Sequence, residues 1–123
     1  METKRTTPVI FRKWKDPDGG IIALLVCEPC SYDRAELVTS YEHLGQHGAA
    51  LYTGVIASTF PAKPEEYADL LQELVKIGYT DLKPYRRTQP WMREERARTI
   101  QRWREADRRQ AETTERLGLE ARS

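Results

Sequence analysis

The sequence predicts an α+β fold: an antiparallel sheet of four to five strands in the order β-β-β-β-α-β, one helix packed across it, and a long C-terminal helix. Three observations predict it. A mixed apolar and basic segment, residues 9–15, and an apolar run, residues 21–26, are separated by the turn-forming Asp16-Pro17-Asp18-Gly19-Gly20. Further on, Tyr67, Leu70, Leu71, Leu74 and Ile77 recur every three or four residues, the period of a helix with one apolar face. Finally, no proline or glycine interrupts residues 91–117, and Glu94/Arg98, Glu105/Arg109 and Glu112/Arg116 stand four apart in the order that supports a helix.

Taken in order, residues 9–15 mix apolar and basic side chains in near alternation and form the first strand of a long-looped hairpin. Residues 21–26 are continuously apolar, which suits a strand buried on both faces at the centre of the sheet. The polar stretch 28–36, with Pro29, Ser31 and Asp33, is a connecting loop. Residues 37–41 and 51–56 are rich in β-branched and aromatic side chains and read as the two strands of a second hairpin. Its tip carries both histidines, and Gly45 and Gly48 bracket Gln46-His47 there. Pro64 at a first helical position, Glu65 and Glu66 in the first turn, and Gly78 as the stop predict a helix over 64–77. Residues 82–87 give a fifth strand, confined to an edge because Pro84 has no amide donor. In the last helix Met92, Ile100, Trp103 and Ala106 make a narrow apolar stripe, whereas residues from Asp107 onward are polar all round. The first half is expected to dock, on this domain or on a second copy, and the second half to project.

Composition divides the chain at the same place. Residues 91–123 hold nine arginines and seven acids, against 11 basic and 12 acidic residues in 1–90. The expected organisation is a sheet-plus-helix domain at 1–88 and a charged helical extension at 89–123. A chain of 123 residues supports one core without staples. With 32% charged residues but a net charge of only +1, it carries no overall field demanding nucleic acid or an acidic partner. No apolar run approaches the roughly 18 residues that span a bilayer. Cys27 and Cys30 stand too close in sequence to staple distant elements, which fits a reducing compartment. The expectation is a soluble, cytoplasmic protein without membrane contact.

Several constellations could carry chemistry. Cys27-x2-Cys30, twelve residues, then His43-x3-His47 has the ligand spacing of a two-Cys, two-His zinc finger. The intervening residues argue against one: Arg34 stands where the finger's interior aromatic belongs and Ser40 where its interior leucine belongs. Zinc is thus the single cofactor the spacing offers, as a knuckle inside a larger sheet; the plainer reading makes Cys27 a core residue and Cys30 a loop thiol. A thiol nucleophile with His43 or His47 as base needs a third, orienting group, for which Glu42, Gln46 or Asp33 is near in sequence. No nucleophile elbow or phosphate-cradling glycine loop accompanies them, so a zinc-dependent or thiol enzyme ranks third among the readings.

Nucleic-acid binding ranks second, through Arg12, Lys13 and Lys15 around Trp14 and through Arg86 and Arg87. Acids interleaved with the C-terminal arginines favour a salt-bridged, solvated face instead of a basic footprint. Protein contact ranks first. Trp91, Ile100 and Trp103, with Arg96 and Arg104 beside them, are residue types that anchor interfaces, and His47 adds the hairpin tip. A homodimer through the C-terminal helix is one form of such contact; packing of Trp103 on its own domain is the plainer alternative.

The runs Val9-Ile10-Phe11-Arg12-Lys13-Trp14-Lys15, Ile22-Ala23-Leu24, Ser40-Tyr41-Glu42-His43-Leu44-Gly45-Gln46-His47-Gly48-Ala49 and Pro61-Ala62-Lys63-Pro64-Glu65-Glu66-Tyr67-Ala68-Asp69-Leu70 through Ile77-Gly78-Tyr79 carry a resemblance. Over about residues 8 to 87 the chain resembles a family of small uncharacterised bacterial proteins from plasmids, phages and other mobile elements. The resemblance includes the histidine hairpin but not the Cys-x2-Cys pair, and makes the arginine-rich helix an addition. It implies a bacterial or phage setting and a role in mobile-element biology, interference with a host defence system included, without bringing an activity. The expected function is a non-enzymatic protein-interaction module whose partner is a protein, a host complex among the candidates.

Overall fold

The computed structural model describes residues 6–16, 19–30, 34, 36–42 and 46–121, with backbone alone at 46 and 118–121. Strand β1 (Thr7–Trp14) pairs antiparallel with β2 (Ile21–Pro29), which pairs with β3 (Leu37–Glu42), which pairs with β4 (Gln46–Leu51). The order β4-β3-β2-β1-β5, with β5 at Thr59–Pro61, puts β2 in the interior of the sheet, where the unbroken apolar run 21–26 predicts it. Ile22, Leu24 and Val26 point to one face and Ala23 and Leu25 to the other, all five buried.

Both faces are covered, which accounts for a run with no polar alternation. On one face lies α2 (Pro64–Lys76), whose Leu70 and Leu74 pack with Val9, Phe11, Ala23, Leu25 and Tyr41. Its start has the signals read from sequence: Pro64 opens it, and Glu66 Oε1 accepts the Lys63 amide at 3.0 Å. On the opposite face lie a short helix, α1 (Tyr52–Ala57), and the beginning of α3 (Pro90–Ala121), which bring Val55 and Met92 against Ile10, Leu24, Val26 and Val38.

Two parts of the chain differ from the sequence expectation. Residues 51–56 were expected to be the second strand of the histidine hairpin; the strand is 46–51, and 52–57 turn into α1. Tyr52, Val55 and Ile56 lie three and four apart, so one helical turn sets all three against the same cluster, which a strand's alternation would split between faces. β3 ends at Glu42 and its partner strand begins at Gln46; His43, expected at the hairpin tip, lies outside the described residues.

The second difference is direction. β6 (Leu82–Tyr85) is an edge strand, as Pro84 requires, but it runs parallel to β1. β5 (Thr59–Pro61) descends antiparallel to β1 opposite Arg12, Lys13 and Trp14. α2 continues in that direction, the chain reverses at Gly78 with φ 124°, and β6 climbs beside Thr7 to Ile10. One edge of β1 is therefore shared by two short strands of opposite sense.

Candidate functional site

Helix α3 decides what the molecule presents to its surroundings. Its first three turns face β2 through Met92, Arg96 and Ile100, four residues apart and all buried. β2 meets them with a bulge: its register with β3 jumps from Leu25 opposite Thr39 to Pro29 opposite Val38. There Arg96 Nη1 donates to the Val26 carbonyl at 2.6 Å. The guanidinium also lies 6.0 Å from the centre of the Tyr52 ring, and Tyr52 donates to Thr88 Oγ1 at 2.7 Å, tying α1 to the chain leading into α3. Burial pulls the Arg96 guanidinium below its ordinary pKa, and the charge of Arg93 acts in the same sense.

Past these turns the helix leaves the sheet. Among residues 101–117 only Glu105 is less than exposed. Trp103 is 42% exposed and Leu117 58%. Trp91, also 42% exposed, meets Tyr85 edge-on with ring centres 6.0 Å apart. Of the six residues expected to anchor a partner, Trp91, Trp103, Arg104 and His47 are on the surface, whereas Arg96 and Ile100 are buried in the chain's own packing. A stripe read from sequence does not tell which of its members meet the sheet and which overshoot it.

The basic first strand is divided among different surroundings. Arg12, 8% exposed, donates from Nε to Thr59 Oγ1 and from Nη2 to the carbonyls of Thr59 and Ile56, closing the α1–β5 junction. Lys13 lies on the other face, 2.7 Å from Glu66. Trp14 is half-buried and donates Nε1–H to Glu42 at 2.9 Å. Lys15 reaches the Ala57 carbonyl and lies over Phe60. Strand alternation separates these cations, so they do not make one surface; Arg86 and Arg87 are exposed beyond β6.

His47 pairs across the hairpin with Tyr41, on the α2 face. Its ring stands edge-on to Tyr41 with centres 4.7 Å apart, and Nε2 is 3.3 Å from the Tyr79 hydroxyl. Tyr41 in turn donates to Glu73 of α2 at 2.7 Å. Tyr41, His47 and Tyr79 border an open groove of about 450 Å3 with Ile77 and Gly78. Sequence reasoning missed Tyr41, Tyr79 and Glu73 here. The signal was the strand register, since pairing 42 with 46 puts 41 opposite 47.

Cys27 packs against the α3-face cluster, and burial with the nearby Glu95 charge pushes its thiol up to about 11. Cys30 is exposed, with Sγ 3.6 Å from Thr39 Oγ1 and 3.8 Å from the Gly48 carbonyl. Cys27 and His47 consequently lie on opposite faces of the sheet. Among the described residues no group of three or more His, Cys, Asp or Glu side chains could hold a metal ion; His43 is not among them. No helix among the described residues is long and apolar enough to cross a membrane. The chain matches no protein-family model, no curated protein and no solved structure.

Proposed function

We propose that the chain is a non-enzymatic protein-interaction module that grips its partner through the projecting part of α3. The observation that carries this is the exposure of residues 101–117 in continuation of a helix anchored at Met92, Arg96 and Ile100. A free helix of this length is marginal in water, and exposed i,i+4 pairs add only about 0.2–0.5 kcal/mol each. A partner's surface against Trp103 and Leu117 would supply the burial that the chain itself does not. Five arginines (102, 104, 108, 109, 116) alternate with four acids (105, 107, 112, 115) along this stretch, which suits a protein surface better than a polyanion. Internal use of Arg12, Lys13 and Trp14 weakens the nucleic-acid reading in the same direction. The resemblance of residues 8–87 adds a mobile-element setting, with a host defence complex as the kind of partner to look for.

The test is co-purification from a bacterial host, with the wild-type chain and a Trp103→Ala/Leu117→Ala chain side by side, at low and high salt and with nuclease. A partner, a second copy included, should survive salt and nuclease and be recovered about tenfold less on the double variant at an unchanged unfolding midpoint. Recovery indifferent to the two substitutions overturns the reading, as does recovery that nuclease abolishes and salt weakens steeply.

A further inference from the structure

A groove of about 460 Å3 runs between α1 and the first turns of α3. Arg96 and Ile100 are its buried lining and Tyr52 is half-buried; Arg93, Ala97 and Glu36 border it on the exposed side. Its chemistry is unbalanced. Arg96 is 7% exposed, and its single hydrogen bond among the described residues goes from Nη1 to a neutral acceptor, the Val26 carbonyl. Among the described residues no fully buried side-chain nitrogen or oxygen lacks a partner, so the guanidinium nitrogens not bonded to Val26 keep access to solvent, and Arg96 lines the groove.

A buried cation without a counter-ion is costly, and a second like charge one turn away raises that cost. Arg93 is that second charge, at i−3 on the same helix. The carboxylate in the lining is engaged elsewhere: Glu36 Oε1 is 2.6 Å from Arg34 Nε. Behind the groove, Arg12 is also buried and bonded only to uncharged oxygens among the described residues, those of Thr59 and Ile56. This side of the sheet thus holds two buried guanidiniums and one exposed one around Tyr52, and an anion entering the groove would relieve the excess.

We propose that the groove receives a carboxylate side chain of a protein partner, held by Arg96 and Arg93, with the aliphatic neighbours of that acid packed on Ile100 and Ala97. The proposal deepens the protein-contact reading and rests on it, because it names the chemistry the partner brings. A guanidinium's planar fork matches a carboxylate in two parallel hydrogen bonds. The apolar wall asks for carbon beside the charge, which an acidic peptide has and a chain of phosphates has not. Glu36 at the rim opposes a polyanion while leaving room for one buried acid.

The experiment uses the full chain and a defined probe, the blocked peptide Ala-Leu-Glu-Leu-Ala, with its Glu-to-Gln counterpart and inorganic phosphate as comparators, followed by NMR. The Glu peptide should move the Arg96 Nε–H signal and the amides of 93–100, and bind about tenfold tighter than the Gln peptide, the factor expected of one charge-assisted pair. Arg93→Gln, an exposed substitution that also relieves the like-charge contact with Arg96, should weaken that binding several-fold at a urea midpoint equal to or above that of the wild type. Equal responses to the Glu and Gln peptides, or shifts that avoid α1 and α3, overturn the proposal. Stronger shifts from phosphate than from the Glu peptide overturn the assignment to a peptide carboxylate. If the peptide fails while partner recovery still depends on Trp103, the groove alone is lost; if recovery is indifferent to Trp103 and Leu117, the wider reading falls as well.

Discussion

Arg96 of α3 and Val26 of β2 are joined by a 2.6 Å hydrogen bond at the place where the sheet's own ladder is broken by a bulge. The bond connects residues 70 positions apart, and it aligns the long helix on the sheet more specifically than apolar packing could.

Removing it should be costly. Arg96→Met keeps the apolar stem but leaves the Val26 carbonyl without this donor, a loss of about 1–3 kcal/mol. Arg96→Lys should recover little of it, because an ammonium cannot both reach the carbonyl and lie flat near Tyr52. Urea unfolding of the three chains measures this; a methionine variant as stable as the wild type contradicts the arrangement.

The two ends of α3 should answer substitution differently. Met92 is fully buried, and Met92→Ala should destabilise by about 2–5 kcal/mol. Leu117 is 58% exposed, and Leu117→Ala should change stability by less than about 0.5 kcal/mol. Equal losses from the two in thermal unfolding would mean that the far end is packed, and the projecting arm would have to be given up.

The contrast also shows what could be read before the fold was seen. β1, β2 and α2 were legible because each is specified by one local pattern: near alternation of apolar and basic residues ahead of a turn, an unbroken apolar stretch, an apolar face behind Pro64. The helix at 52–57 was not, since Tyr52, Val55 and Ile56 suit a strand by composition and only the cluster beneath them selects a helix. The sense of β6 depends on where α2 ends, which no single residue encodes. Arg96 and Arg12 look solvated in a charged sequence, because a buried cation is recognisable only once its carbonyl partners are in place. His47 stands out in the sequence by its chemistry, whereas Tyr79, 32 residues away, meets it only in the folded chain.

The two thiols should behave as different reagents. Cys27 is half-buried with a pKa of about 11, so at pH 8 only about one molecule in a thousand carries the thiolate there. Cys30 is exposed. Alkylation of the native chain, read by mass spectrometry, should therefore label Cys30 rapidly and Cys27 only in urea. Labelling of Cys27 at the rate of Cys30 in the native chain would show that α3 does not cover it.

Glu28 gives the fold a dependence on pH. Burial raises its carboxyl above the usual range, Asp81 adds to the shift, and His47 opposes it. Asp81 accepts from the Thr7 hydroxyl at 2.9 Å and so stays beside the start of β1. A carboxyl whose folded pKa lies above its unfolded value favours folding while protonated in both states, and that contribution is lost as pH rises through the folded value. At neutral pH the charged group is thus a liability, and Glu28→Gln should raise the melting temperature by about 1–3 °C. Below the unfolded value wild type and variant are both neutral at this position, so the gap should close as the buffer approaches pH 4. Melting curves of the two chains across that range decide it: a glutamine variant that melts below the wild type at neutral pH, with the difference vanishing in acid, would mean the Glu28 charge is stabilised by His47 more than it is penalised by burial and Asp81.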